Sequence, residues 1–197
     1  MKIAILGGAF NPITKGHVQI AEFVLTRTNT QEVWISPCYR HVYSKDMASS
    51  DDRLKMCELV TKENPKIKVC DFEIKNKIST GTITFITKLL DEYKEHDFSY
   101  IIGMDNANTL GNWIEHQELK KLIRFIVVPR QGVEENPTID WYKNPPHLYL
   151  KSNKPIIDIS STQIRRWIKE KKEHKAFENL HPRVYSYIVM EHSLYED

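Results

Sequence analysis

The sequence predicts an α/β fold, a doubly wound parallel sheet with helices after its last strand. Apolar runs alternate with segments of helical periodicity along most of the 197 residues. The first run, residues 2–6, has the aliphatic and β-branched character of a strand that is buried on both faces. Gly7 and Gly8 follow it and an amphipathic helix comes next, an arrangement that lets backbone N–H groups and a helix N-terminus face an anion.

The remaining elements follow in order. Strands are predicted at 32–36, 67–70, 99–103, 124–128 and 147–150, and helices at 16–27, 51–62, 82–95 and 115–122. Ser160 caps a further helix that runs to about residue 171, and a last amphipathic helix is predicted at 182–193. The stretch 131–146 contains three prolines and is predicted to be a mobile loop that forms a flap.

Composition limits the classes of function. Hydrophobic residues make up 41% and charged residues 27%, which indicates one domain over 1–197. The net charge of +2 gives no global field that would attract nucleic acid or an anionic membrane. The chain has no apolar run long enough to span a bilayer, no signal peptide, and three cysteines without a CxxC pair. We therefore expect a cytoplasmic protein without structural disulfides, a zinc site, a membrane or a nucleic-acid partner.

Polar segments follow several of the predicted strands. They are residues 7–17, 37–45, 103–105 and Arg130, after the first, second, fourth and fifth strands. Ligands of open α/β sheets bind outside the carboxyl ends of the strands, where the strand order reverses. We therefore expect a ligand site at which these four segments meet.

Two motifs suggest a family. Residues 8–17, Gly-Ala-Phe-Asn-Pro-Ile-Thr-Lys-Gly-His, resemble the (H/T)xGH signature of the nucleotidyltransferase superfamily, and residues 159–165 resemble its ISSTxxR element. Residues 103–105, followed by Trp113, resemble the substrate loop of nicotinate or nicotinamide mononucleotide adenylyltransferases. The resemblance extends through residues 181–188. It implies a Rossmann-like nucleotidyltransferase fold and transfer of AMP from ATP to a pyridine mononucleotide, with release of pyrophosphate.

The resemblance also implies roles for individual residues, since adenylyl transfer needs groups that orient two anions and neutralise developing charge. The implied catalytic residues are His17, Thr14, Arg165 and Lys45, with the Thr14 hydroxyl donating to a phosphate oxygen. The implied ATP ligands are Gly8, Ala9, Phe10, His17, Gly103, Asp105, Ser160, Ser161, Thr162 and Arg165. The implied mononucleotide ligands are Asn11, Lys45, Thr82, Thr84, Trp113 and Arg130, with the pyridine ring stacked on the indole.

The expected cofactor is Mg²⁺ held through the ATP phosphates, without a dedicated protein metal site. Expected partners are ATP and a pyridine mononucleotide, and a homo-oligomer is compatible with the sequence. Two alternatives stay open, a pantetheine-phosphate adenylyltransferase and a non-catalytic nucleotide-binding sensor. The sequence does not decide between nicotinate and nicotinamide mononucleotide. Arg53 is interpreted as a structural residue.

Overall fold

The computed structural model describes residues 1–40, 47–152 and 159–195. Its centre is a six-stranded sheet in the order β3-β2-β1-β4-β5-β6, in which every neighbouring pair is parallel. The strands are β1 (Lys2–Gly8), β2 (Glu32–Pro37), β3 (Ile67–Val69), β4 (Asp97–Gly103), β5 (Arg124–Val128) and β6 (Leu148–Tyr149). The predicted fold class is confirmed, and each predicted strand lies within two residues of its observed bounds.

Helices cover both faces of the sheet. Along the chain they are α1 (Lys15–Arg27), α2 (Ser50–Thr61), α3 (Phe72–Lys75), α4 (Thr82–Glu92), α5 (Met104–Thr109), α6 (His116–Leu122), α7 (Ser161–Lys169), α8 (Glu173–Asn179) and α9 (Pro182–Tyr185). Short 3₁₀ turns occupy Leu110–Asn112 and Trp141–Lys143, and a π-helical segment, Ser186–Glu191, follows α9. Within the described ranges, the structure contains no helix that is both long and apolar enough to cross a membrane.

The sheet separates two hydrophobic layers. Successive side chains of β1 point to opposite faces, so Ala4 and Leu6 join the layer under α1, α2 and α7, whereas Ile3 and Ile5 join the layer under α4 to α6. All four side chains are at most 6% exposed. Burial on both faces explains why these strands are uniformly apolar in sequence instead of alternating.

Three predicted segments differ from the structure. The predicted helix 82–95 ends at Glu92, and the predicted helix 182–193 divides into α9 and the π-helical segment. The flap predicted at 131–146 packs instead against the molecule. Its 3₁₀ turn buries Tyr142 completely, and the Trp141 indole donates to the Ala107 carbonyl at 3.2 Å. Proline content indicated an irregular loop correctly, but two aromatic side chains attach that loop to the core.

Strand order places the site. The chain moves from β1 to β2 and β3 on one side, then returns to form β4 beside β1 and continues to β5 and β6 on the other side. The reversal therefore lies between β1 and β4. In a parallel sheet the carboxyl ends share one edge, so the segments that follow β1, β2, β4 and β5 meet there. This confirms the convergence that the sequence predicted for the segments that the structure describes.

Candidate active site

Two neighbouring cavities open at this edge. The first, of about 430 Å³, lies over β1, β4 and β5 and is bounded by the starts of α1 and α7. The second, of about 380 Å³, lies beside α4 and the turn after α5. They share part of their walls, formed by Gly7, Gly8, Ala9, Tyr100, Asn106 and Trp113. The two cavities therefore adjoin at these residues, and ligands bound in them can lie next to each other.

The first cavity gathers most of the predicted site residues. From the first motif and the loops after β4 and β5, these are Gly8, Ala9, Asn11, Thr14, His17, Gly103, Asp105, Trp113 and Arg130. From the start of α7 they are Ser160, Ser161, Thr162 and Arg165. His17 and Arg165, far apart in the chain, thus face one cavity, as the two-motif interpretation requires.

His17 lies in the first turn of α1, and its ring is oriented by Thr14. The backbone N–H of Thr14 donates to Nδ1 of His17 at 3.0 Å, and the Thr14 hydroxyl lies 2.9 Å from the same nitrogen. A nitrogen that accepts from a backbone N–H carries no proton, so the neutral ring has its proton on Nε2. The imidazole therefore presents an N–H donor on the side away from Thr14.

Electrostatics keep that ring neutral. Burial, with a smaller contribution from the nearby positive charge of Arg130, lowers the pKa of His17 from 6.5 to about 4. Phe10 packs against the ring in an edge-to-face contact, with 5.1 Å between the two ring centroids. At neutral pH, His17 therefore acts as a hydrogen-bond donor without a formal charge.

The Thr14 hydroxyl has a different environment from the one predicted. It faces His17 and also donates to the Ile159 carbonyl at 3.4 Å, and Thr14 is only 2% exposed. The sequence interpretation gave this hydroxyl to a phosphate oxygen. In the structure this hydroxyl lies beside the imidazole, and its predicted contact with phosphate stays a prediction.

The start of α7 is tied to the first motif. The Ser161 hydroxyl donates to the Pro12 carbonyl at 2.8 Å, whereas the Ser160 hydroxyl accepts from the Gln163 backbone and caps the helix. Both hydroxyls, predicted to cradle phosphate, thus have partners within the protein, and their contact with phosphate stays a prediction. Ser161 and Thr162, at the start of α7, border the cavity, and their backbone N–H groups precede the first i→i−4 hydrogen bond of the helix, which is the arrangement of an anion site.

Arg165 is fixed by its neighbours. Its Nη1 donates to the Asn11 carbonyl at 2.8 Å and its Nη2 to the Thr162 hydroxyl at 3.2 Å. The Asn11 side chain, predicted to bind the mononucleotide, is 3% exposed, and its oxygen accepts from Ala48 N–H and from the Tyr195 hydroxyl. That oxygen therefore has a structural role, while the guanidinium is held at the cavity wall.

Asp105 and Arg130 form an ion pair across the far side of the first cavity. The other carboxylate oxygen of Asp105 is buried and accepts no hydrogen bond. A Cβ on Gly103 would lie 2.5 Å from that oxygen, so only glycine lets the carboxylate fold back here. Asp105 thus borders the first cavity with one carboxylate oxygen that has no hydrogen-bond donor among the described residues.

In the second cavity, Trp113 and Thr82 lie in the wall, whereas Thr84, further along α4, lines neither cavity. Tyr100 crosses from β4 to β1, where a Cβ on Gly7 would lie 2.0 Å from its hydroxyl oxygen. The Thr82 hydroxyl hydrogen-bonds that phenol. Gly7 is therefore a glycine because Tyr100 needs the space between the cavities.

Glu73, on α3, faces the second cavity with Cys38 and Arg40. One of its carboxylate oxygens accepts from the Tyr39 N–H at 3.2 Å. Burial raises the pKa of Glu73 to about 7, although the Tyr39 hydrogen bond and the charge of Arg53 favour the ionised form. The second cavity thus contains a carboxyl group that titrates near neutral pH.

Three predicted ligands differ in placement from the others. Phe10 lines neither cavity, is 2% exposed and packs against the His17 ring, so its side chain supports that ring. Lys45 lies outside the described residues, so its predicted contact with phosphate stays a prediction. Thr84 lines neither cavity, and its predicted contact with the mononucleotide stays a prediction.

Sequence reasoning missed Tyr100, Glu73 and Asn106. Tyr100 reads in sequence as an ordinary strand aromatic, and α3 and α5 are too short to produce a periodic pattern. A polar residue just after a predicted strand was an available signal for Glu73, which comes three positions after Cys70. The shared wall of the two cavities could not be derived from local pattern.

The sheet order, the site at its reversal and the two motifs define a nucleotidyltransferase architecture. The chain belongs to the cytidylyltransferase-like family, whose model matches residues 5–167. It is 36% identical over 176 residues to a probable nicotinate-nucleotide adenylyltransferase of Fusobacterium nucleatum, covering 88% of this chain and 90% of the relative. A protein of the same description from Caldicellulosiruptor saccharolyticus is 36% identical over 199 residues, with 96% of each chain covered.

Solved structures agree on the fold. The chain superposes with a TM-score of 0.84 on nicotinic acid mononucleotide adenylyltransferase of Plasmodium falciparum in complex with NaAD, at 24% identity and covering 99% of this chain and 97% of the other. A second structure of that protein, with APC, gives a TM-score of 0.81 at 23% identity, over the same shares of the two chains. The family assignment thus agrees with the resemblance found in the sequence.

Proposed function

We propose that the protein is a nicotinate or nicotinamide mononucleotide adenylyltransferase that makes the dinucleotide of NAD biosynthesis and pyrophosphate. The observation that carries the proposal is that His17 and Arg165, from the two distant motifs, face one cavity beside a second cavity. The curated relatives are described as nicotinate-nucleotide adenylyltransferases, which supports the same activity. Two substrates need two adjoining cavities, and the chain provides them.

The reaction needs no covalent intermediate on the protein. An oxygen of the mononucleotide 5′-phosphate attacks the α-phosphorus of ATP, and the bond from that phosphorus to the bridging oxygen breaks to release pyrophosphate. Negative charge accumulates on the departing phosphates, so positioned donors are the main catalytic resource. The Nε2–H of His17, the guanidinium of Arg165 and the first N–H groups of α7 supply them.

We assign ATP to the first cavity and the mononucleotide to the second. The triphosphate then lies between α1 and α7, and Asp105 accepts from the ribose or the adenine amino group. The pyridine ring stacks on Trp113, and Thr82 lies near its substituent. The glycines of the shared wall allow the attacking phosphate to reach the α-phosphorus without a side chain between them.

Magnesium fits this site as a companion of ATP. Among the described residues of the first cavity, Asp105 is the one carboxylate, and it is already paired with Arg130. Mg²⁺ in such sites keeps several waters and binds through phosphate oxygens, with few protein ligands. The donors present therefore hold the phosphates, and the bound ion would supply charge neutralisation of the same phosphates when ATP enters.

The proposed activity is tested by assaying the protein and a His17 variant with different acceptor substrates. Pyrophosphate release is measured with ATP and, separately, nicotinate mononucleotide, nicotinamide mononucleotide and phosphopantetheine, in the wild type and in His17→Ala. We expect turnover with a pyridine mononucleotide, and a loss in kcat of about 100-fold or more in the variant with little change in ATP affinity. Turnover with phosphopantetheine alone would identify the pantetheine enzyme, and ATP binding without turnover would identify a sensor.

The same assay decides the pyridine substituent, because the ratio of kcat/KM for the two mononucleotides reports differential transition-state binding. The names of the relatives favour nicotinate mononucleotide. A cytoplasmic location and a homo-oligomer are kept as predictions, to be checked by cell fractionation and by light scattering of the purified protein.

A further inference from the structure

The C-terminal segment reaches the first motif through one side chain. The Tyr195 hydroxyl donates to the side-chain oxygen of Asn11, with 2.5 Å between the two oxygens. The Ala48 N–H donates to the same oxygen at 3.1 Å. Tyr195 thus contacts the loop between β1 and α1, although 184 positions separate Tyr195 from Asn11 in the sequence.

Asn11 transmits this contact to the guanidinium proposed to bind phosphate. Its backbone carbonyl accepts from Nη1 of Arg165 at 2.8 Å, and the next carbonyl, of Pro12, accepts from the Ser161 hydroxyl at 2.8 Å. Both contacts of α7 with the first motif therefore fall on two consecutive peptide groups. Any displacement of Asn11 shifts the acceptor that orients Arg165.

The tyrosine is suited to a permanent contact. Burial raises the pKa of its phenol well above the ordinary value, so Tyr195 keeps its proton and donates throughout the working pH range. The segment before it is itself fixed, because the Leu194 N–H donates to the Ile188 carbonyl at 2.8 Å. The tail therefore has a defined path from the π-helical segment to Asn11.

We propose that Tyr195 is a positioning residue of the ATP site, which holds Asn11 so that its carbonyl orients Arg165 toward the phosphates. This inference rests on the proposed function in that it takes the first cavity as the ATP site. Tyr195 acts through Asn11 and does not itself line the cavity. It follows that the hydroxyl affects ATP binding far more than mononucleotide binding.

The test compares Tyr195→Phe with Tyr187→Phe. Tyr187 lies in the π-helical segment before the tail and its hydroxyl donates to Asp52 at 2.7 Å, so its variant also loses a phenol hydrogen bond, but to a different acceptor. ATP affinity is measured by calorimetry without acceptor, and KM is measured for both substrates. We expect Tyr195→Phe to weaken ATP binding by about 5- to 10-fold, with KM for the mononucleotide unchanged, and Tyr187→Phe to leave both near wild type.

A double-mutant cycle with Asn11→Ala tests the route. If the phenol acts through Asn11, adding Tyr195→Phe to Asn11→Ala causes no further loss of ATP affinity. Equal effects of the two tyrosine variants, an unchanged ATP affinity in Tyr195→Phe, or additive losses in the cycle would each overturn the inference. Because the calorimetry needs no acceptor, an absence of turnover in the wild type contradicts the proposed function alone.

Discussion

At the residue scale, the candidate catalytic group depends on a proton whose position is set by the backbone. The Thr14 N–H donates a hydrogen bond to Nδ1 of His17. The proton of the neutral ring is therefore on Nε2. Burial and the charge of Arg130 lower the pKa of His17, so the ring carries only this one proton at neutral pH. A neutral imidazole donates to phosphate without changing its charge during turnover, which suits a reaction in which protein groups orient and do not titrate.

The first prediction concerns that ring. The folded-state pKa of about 4 lies below the ordinary 6.5, so between these values the unfolded chain binds more protons than the native one. We expect His17 to stay neutral from pH 8 to about pH 5, and its contribution to stability to be constant above pH 6.5 and to decline as pH falls from 6.5 to 4. ¹⁵N NMR of the ring, assigned with His17→Gln, measures the titration. A midpoint near 6.5 would contradict the assignment.

The second prediction concerns Glu73, whose pKa burial raises to about 7 from the ordinary 4.5. Here the folded chain binds more protons than the unfolded chain between these values, so stability falls as pH rises from 4.5 to 7. We expect the Tm difference between Glu73→Gln and the wild type to move in favour of the variant over this range and to level off above it. Tm by calorimetry from pH 4.5 to pH 8 measures it.

A substitution of an exposed glutamate serves as the control for the Glu73→Gln measurement. Glu115→Gln, a substitution at an exposed position outside both cavities, should give a Tm difference from the wild type that does not depend on pH in this way. A difference for Glu73→Gln that stays constant from pH 4.5 to 8 would show that the carboxyl titrates at its ordinary value.

At the element scale, one buried arginine connects three segments around the site. Arg53, on α2, is 1% exposed and donates to the carbonyls of Ala9, Tyr39 and Ala48. These carbonyls belong to the first motif, to the segment after β2 and to the residue before the cap of α2. The interpretation of Arg53 as structural agrees with these contacts, and its structural task is to hold site segments together.

The third prediction follows from that connection. Arg53→Met fills the space of the buried side chain but leaves three partly buried carbonyls without their donor, so we expect the free energy of unfolding to fall by about 3 kcal/mol. Arg53→Lys should recover part of the loss, since an ammonium also donates but lacks the planar fork. Urea unfolding measures both. A matched change at exposed Arg124, Arg124→Met, should alter stability by less than about 0.5 kcal/mol.

At the scale of the whole molecule, one sheet supports both cavities. Helices pack on both of its faces, and α7 brings the second motif back to the first. The prediction of a single domain over 1–197 implies one cooperative unfolding transition. We expect ATP to raise the Tm of that transition without splitting it, by an amount set by its concentration relative to Kd. Calorimetry with and without ATP checks this, and two separate transitions would contradict the single domain.

The sequence by itself determined the fold class and the two motifs, because period and turn chemistry are local properties. Uniformly apolar strands such as β1 indicated a covered parallel sheet, and the segments 8–17 and 159–165 indicated a nucleotide site. Most residues predicted from these segments line the first cavity. Errors fell at element ends, at the short helices α3, α5 and α8, which were not predicted, at the helix 182–193, which divides in two, and at the loop 131–146.

Only the tertiary structure decided what each polar group does. The hydroxyls of Thr14 and Ser161, predicted as phosphate ligands, each have a protein partner from a distant part of the chain, Ile159 and Pro12 respectively, which the sequence did not indicate. Tyr195 carried no signal in its own neighbourhood that joined it to Asn11, and the position of Glu73 after a predicted strand did not indicate its burial or its contact with Tyr39. The reason is physical, since hydrogen-bond partners and burial depend on which segments meet in space, and that is a property of the packed chain.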